Sequence, residues 1–216
     1  MQSTEVREQM IEQQVRCWDV LDARVLDGLR AVPRECFVPP AQRHRAYADA
    51  EVPLAHGQHM LRPSVVGRLL QALAPRADER VLEIGAGSGY VTACLRALGA
   101  RVRSLELYAD LADAARANLA RLAMDDVEVL EADALHVAEG ARYDAIAVTA
   151  SLPGYDPRFE RMLAVGGRLF LVVGAPPVME ARLVRRTAEH AFAREDLFET
   201  VIDPLVHAAR PPKFRF

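Results

Sequence analysis

At 216 residues, 51% of them hydrophobic, the chain has apolar material for the core of one large domain, or one domain with an elaboration, and disorder is excluded as its default state. Its 27 Lys and Arg against 30 Asp and Glu give a net charge of -3, so no global positive field exists to recruit nucleic acid or an anionic membrane. Cys17, Cys36 and Cys94 are odd in number and lack C-x-x-C spacing, the polar stretch from Met1 to Gln14 has no signal-like apolar centre, and no run of 18 apolar residues occurs, all of which points to a cytoplasmic protein with reduced thiols.

Val6, Met10, Ile11 and Val15 have helical spacing and predict a first helix over residues 4 to 16. A second runs from Asp22 to Ala31, before Pro33 stops it, with Cys17 and Trp18 between the two as cap-packing residues. From Phe37 to Pro63 the prolines 39, 40, 53 and 63 and Gly57 break any periodicity, which predicts loops around short extended pieces, a common seat of function. Ser64 to Leu73 resumes a helical pattern. Strands are then predicted at Arg80–Ile84, Arg101–Leu105, Val127–Glu131, Ala145–Thr149 and Gly167–Val173, with helices at Tyr90–Leu98, Ala109–Leu122 and Asp156–Met162 between them. This βαβ series is an α/β fold with a mostly parallel sheet. Ala181–Thr187 and Ala191–Phe198 read as strands joined by a turn, and Val201–Val206 as a last strand, giving the sheet an antiparallel edge. The chain thus divides into a helical cap with a substrate-facing loop over residues 1–75 and a ligand-binding core over 76–216, packed as one compact unit.

The most specific local signal runs from Val81 to Tyr90, Val-Leu-Glu-Ile-Gly-Ala-Gly-Ser-Gly-Tyr: a buried strand, a glycine-rich turn and the start of a helix. Ligands of open α/β sheets sit beyond the carboxyl ends of the strands, and an acid ending the next strand can hold both hydroxyls of a ribose. Glu106 is that acid. The glycines fall at 85, 87 and 89, whereas the dinucleotide fingerprint needs one at 90, where Tyr stands, so the turn argues against NAD and for S-adenosylmethionine (SAM). With no pyrophosphate to cradle, Glu83 at the strand end is free to face a cationic methionine moiety.

Over most of its length the sequence resembles the protein-L-isoaspartate O-methyltransferase family of class I SAM-dependent methyltransferases. The resemblance rests on Val32-Pro33-Arg34-Glu35-Cys36-Phe37-Val38-Pro39, Tyr47-Ala48-Asp49 leading to Pro53-Leu54 and Gly57-Gln58, Leu82 to Tyr90, Tyr143-Asp144-Ala145-Ile146 with Val148-Thr149-Ala150, and Gly166-Gly167-Arg168-Leu169. It implies a seven-stranded Rossmann-like methyltransferase sheet with a helical N-terminal cap, using SAM to esterify the carboxylate of damaged aspartyl residues in protein or peptide substrates. The ester then collapses to a succinimide that hydrolyses partly to normal aspartate. Carried over by position, the cofactor contacts implied are Gln58, Glu83, Gly85, Gly87, Gly89, Glu106, Leu107, Asp133, Ala134 and Thr149, with Asp133 near the adenine edge. The family's Gly-Asp-Gly reads Ala132-Asp133-Ala134 here. A second departure lies in the loop, where the family's Gly-Gln-Thr-Ile-Ser reads Gly57-Gln58-His59-Met60-Leu61, removing both hydroxyls. Leu61 stands where the serine would meet the substrate carboxylate, and it has no hydrogen-bonding group.

A carboxylate acceptor with a pKa of about 4 is already ionised at neutral pH, so methylating it needs positioning and desolvation more than a base. A phenol or amine would need a base near the methyl group, and His59 is the candidate. Arg62 is the candidate to hold a carboxylate in place of the lost hydroxyl, through a bidentate fork. These two are the predicted catalytic residues. His56, His59 and Glu51 lack a further clustered ligand, so no metal is expected. The basic and aromatic tail from Arg210 to Phe216 reads as packing on its own domain. Two alternatives to isoaspartyl methylation stand beside it at this stage: a different methyl acceptor, because of Leu61, and a SAM-binding protein without turnover.

Overall fold

The computed structural model describes residues 3–137 and 140–209, so the tail from Arg210 to Phe216 lies outside the described residues. The chain begins with α1 (Ser3–Met10), a widened helical turn over Ile11–Val15 and a tight turn over Arg16–Trp18, in place of one continuous helix. The widened turn lets adjacent Met10 and Ile11, together with Val15, all reach the core. In α2 (Ala23–Ala31) the expected start is confirmed by Asp22, whose carboxylate accepts the Arg24 N–H at 2.9 Å as a cap. The loop region holds two short antiparallel strands, β1 (Val52–Pro53) and β2 (His59–Met60), and α3 (Pro63–Leu73) follows with proline at its first position. Gln71 of α3 fastens the cap by accepting the Leu21 and Asp22 N–H groups and donating to the Asp19 carbonyl at 2.7 Å.

The core alternates as β3 (Arg80–Ile84), α4 (Tyr90–Ala97), β4 (Arg101–Glu106), α5 (Ala109–Ala120), β5 (Glu128–Glu131), β6 (Tyr143–Leu152), α6 (Arg158–Arg161) and β7 (Leu163–Ala175), closing with the hairpin β8 (Val178–Ala188) and β9 (Ala191–Glu199). The order across the seven-stranded sheet is β5-β4-β3-β6-β7-β8-β9, parallel through β7 and antiparallel over the last two strands. Because β4 and β6 flank β3 on opposite sides, the chain reverses its direction of growth at β3. A crevice opens at such a switch point. Apolar residues cover both faces. Val81 belongs with α3, α4 and the N-terminal cap, whereas Leu82 and Ile84 pack with α6 and β7.

Two features of the later chain shape the crevice. The β6–β7 register slips between Ala147 and Ser151, a bulge that turns Thr149 and Ala150 out of regular pairing toward the crevice. Residues Val201–Val206 do not form the expected strand. Pro204 has no N–H to extend a ladder, and the segment instead wraps around the single residue Ser151, whose N–H donates to the Asp203 carbonyl and whose carbonyl accepts the Leu205 N–H at 2.7 Å. The predicted helix at 156–162 contracts to the four residues of α6.

Candidate active site

The crevice is one cleft of roughly 730 Å³ including its open mouth, within the size range of small-molecule sites. Its floor is the turn after β3. Gly85 has φ +92, and a Cβ there would fall 2.6 Å from the Thr149 hydroxyl, which donates to the Ile84 and Gly85 carbonyls. Only glycine fits. At the end of β4, Glu106 is 5% exposed, and its two oxygens accept the Gly87 N–H at 2.8 Å and the Tyr108 N–H at 3.1 Å. The carboxylate is thereby fixed in place with lone pairs left to accept hydroxyls.

Leu107, just after β4, and Asp133 and Ala134, beyond β5, form the far end of the cleft. Asp133 accepts the Leu135 N–H on one oxygen and contacts His136 and His207 Nδ1 on the other, at 2.9 and 2.8 Å. Burial works against its charge, but the contacts with His207, Leu135 and His136 outweigh it and hold the carboxyl below its ordinary value. At the near mouth His56 stacks on Tyr108, with ring centroids 4.0 Å apart, and its Nε2 meets Asp110 at 2.8 Å. This contact joins the 54–58 loop to the start of α5.

The structure gathers Gln58, His59, Gly85, Gly87, Glu106, Leu107, Asp133, Ala134 and Thr149 around this cleft. Three expected site residues stand elsewhere. Glu83 is fully buried and does not line the cleft, because alternation along β3 points it with Val81 toward α4, and it accepts the hydroxyls of Thr92 on α4 and Ser104 on β4 at 2.5 and 2.7 Å. Burial pushes its carboxyl up to about 7, opposed by those two hydroxyls and reinforced by Glu106. A carboxyl buried inside the sheet and bonded to these hydroxyls cannot face a ligand in the cleft. Gly89 has φ +84 at the head of α4, and a Cβ there would meet the Ala115 backbone at 3.3 Å, so it serves helix packing. Arg62 lines an outer groove rather than the cleft, reaching the Thr200 hydroxyl at 3.3 Å with its guanidinium 5.9 Å from the Trp18 ring centre.

The loop side of the cleft joins Leu61, His59 and Glu51, which the sequence singles out, to Asp203, which sequence reasoning missed. Leu61 lines the cleft with an apolar side chain, and its carbonyl accepts from the fully buried Arg34. His59 Nδ1 lies 2.9 Å from the Asp203 carboxylate, and Glu51 stands beside both. Burial, and then the charge of Asp203, raise the Glu51 carboxyl above its ordinary value. The one local signal for Asp203 was its place before Pro204, a turn-forming pair that a strand assignment conceals. His56 and His59 diverge to different carboxylates, and among the described residues no cluster of three or more metal-ligating side chains forms.

A family model described as protein-L-isoaspartate(D-aspartate) O-methyltransferase matches residues 4–209. Among curated proteins, the protein-L-isoaspartate O-methyltransferase 1 of Rhodopseudomonas palustris strain HaA2 is 41% identical over 203 residues, covering 93% of this chain and 82% of that protein. The enzyme of the same name from Aeropyrum pernix is 37% identical over 207 residues, with 94% and 80% covered. A Plasmodium falciparum beta-aspartate methyltransferase, crystallised with S-adenosyl-L-homocysteine, superposes with a TM-score of 0.79 at 21% identity, over 92% of this chain and 97% of that one, a likeness of fold.

Proposed function

The chain belongs to the protein-L-isoaspartate(D-aspartate) O-methyltransferase family, and from that premise we propose that it transfers a methyl group from SAM to the carboxylate of L-isoaspartyl residues in proteins. The observation that carries this reading is a single cleft with the Glu106 carboxylate at one end and the Gln58–Leu61 segment at the other. A cofactor seated against the sheet and an acceptor entering past the loop would meet inside it.

The residues fit the cofactor. Glu106 offers a pre-oriented carboxylate for ribose hydroxyls, the Gly85–Gly87 turn leaves room for a ligand to lie against the main chain, and Asp133 with Leu107 and Ala134 would border an adenine. Gln58 and Thr149 would border the methionine end. When bound, SAM supplies an electrophilic methyl on a positively charged sulfur. The protein's own contribution is to hold the acceptor oxygen in line with that methyl and to strip water from it, since an ionised carboxylate has no proton to lose. The N-terminal cap and its loop supply the acceptor side, and the sheet supplies the cofactor side. No helix among the described residues is long and apolar enough to cross a membrane.

The test is methyl transfer from SAM to an isoaspartyl peptide beside its normal aspartyl twin. Methylation of the first and not the second is expected. Tight SAM binding with neither peptide methylated would refute the isoaspartyl assignment and turn the search to phenol or amine acceptors.

A further inference from the structure

We propose that His59, oriented by Asp203, is the group that receives the acceptor carboxylate, and that it makes isoaspartyl methylation fall as pH rises because only its protonated ring can donate to that carboxylate. The proposal rests on the isoaspartyl reading above. It begins from what the cleft lacks. Leu61 has no polar atom in its side chain, and the Thr149 hydroxyl is spent on the Ile84 and Gly85 carbonyls. The Gln58 amide reaches back to the His56 carbonyl at 3.4 Å. Arg62 is turned to Thr200 and Trp18 in the outer groove.

His59 occupies the junction that remains. It lines the main cleft, a small cavity between Leu61 and Tyr90, and the outer groove that holds Glu51 and Arg62. An ionised Asp203 can only accept, so its contact with Nδ1 fixes the proton on that nitrogen and leaves Nε2 for another partner. Asp203 is itself held in place, because its carbonyl accepts from the Ser151 N–H at 2.8 Å. With Nδ1 so committed, the charge state of the ring decides what Nε2 presents: an N–H in the imidazolium, a lone pair in the neutral form.

The surrounding charges make that choice matter. Glu51 and Asp203 both border the approach, and an acceptor carboxylate would meet two like charges there. Asp49 in the outer groove is bound to the Ser64 N–H and hydroxyl, and Arg45 lies at the groove's outer wall. Glu106 belongs to the far end of the cleft. Arg62 offsets Glu51 from the outer groove, and the imidazolium is the basic group among the cleft-lining residues, placed to offset Glu51 and Asp203 and to donate to the acceptor at once. Histidine is the side chain that changes charge between about pH 5 and 8.

The experiment measures kcat and KM for an isoaspartyl peptide from about pH 5.5 to 8.5 in wild type, His59→Thr, Asp203→Asn and Glu51→Gln, with SAM affinity recorded at each pH as the check on folding. For wild type, kcat/KM is expected to fall by at least tenfold between pH 5.5 and 8.5, mainly through KM, while SAM affinity stays level. His59→Thr, which restores a hydroxyl, should flatten the profile to within about threefold, and Asp203→Asn should move the fall to lower pH. Glu51→Gln separates the two titrations: it should retain the fall. A flat wild-type profile, a fall that survives in His59→Thr, or a fall abolished by Glu51→Gln alone would overturn the role of His59 while leaving isoaspartyl methylation standing. Absence of methylation in every protein at every pH, with SAM bound, would overturn the isoaspartyl reading itself and this inference with it.

Discussion

Replacing Glu83 by glutamine should make the protein's stability less sensitive to alkaline pH without weakening its grip on SAM. Glu83 is fully buried in β3, one oxygen accepting the Thr92 and Ser104 hydroxyls and the other without a partner. Its carboxyl is pushed by burial from an ordinary value of 4.5 up to about 7. A raised folded-state value means that the group's contribution is fully present below the unfolded value and is lost as pH rises, because the unfolded chain ionises near 4.5 while the folded protein stays protonated to about 7. Linkage over that window makes wild type lose roughly 2 to 3 kcal/mol between about pH 5 and pH 8, after which the loss levels off. Glutamine keeps the shape and accepts both hydroxyls but does not titrate. Its amide carries a constant cost that cancels when the same variant is compared across pH. Urea unfolding of both proteins at the two pH values isolates the difference, and calorimetry supplies the SAM affinities. A stability gap between the two proteins that is equal at both pH values would refute the buried, protonated assignment. A tenfold loss of SAM affinity in the glutamine variant would place Glu83 against the ligand after all.

Glu106→Ala removes the carboxylate pinned by Gly87 and Tyr108 and should weaken SAM binding by about 1.5 to 3 kcal/mol, the range for hydrogen bonds to a charged group. Unchanged affinity by calorimetry in a folded variant would rule out the ribose contact. Leu61→Ser places a neutral donor in the cleft and should raise isoaspartyl methylation by up to about a hundredfold with SAM affinity nearly constant, as for an interaction made mainly in the transition state. An unchanged rate at low pH would mean that His59 alone already supplies the donor there.

What the chain states on its own is local. The strand, glycine turn and helix from Arg80 to Ala97 are legible because each residue's part is set by neighbours within a few positions: an apolar run, positive-φ turns, then helical spacing. Glu106 was legible for the same reason, as the acid that closes the next strand. The β8–β9 hairpin and the capping Asp22 follow from local patterning as well. The errors begin where direction or distance matters. Alternation fixes that Glu83 and Ile84 face opposite ways, but which face meets the cleft is decided by the packing of α4 against β3. Residues 201–206 have strand-like composition, yet the backbone partners they find at Ser151 bend them across the end of β6. The acceptor end is the furthest from local information, because His59 and Asp203 are separated by 144 positions and meet only when the sheet brings the chain's last segment over the loop. Spacing along the sequence therefore determined the glycine turn after β3 and Glu106 at the end of β4, which lie within one βαβ unit, while the His59–Asp203 side of the cleft is a surface between distant segments that exists only once the whole sheet has formed.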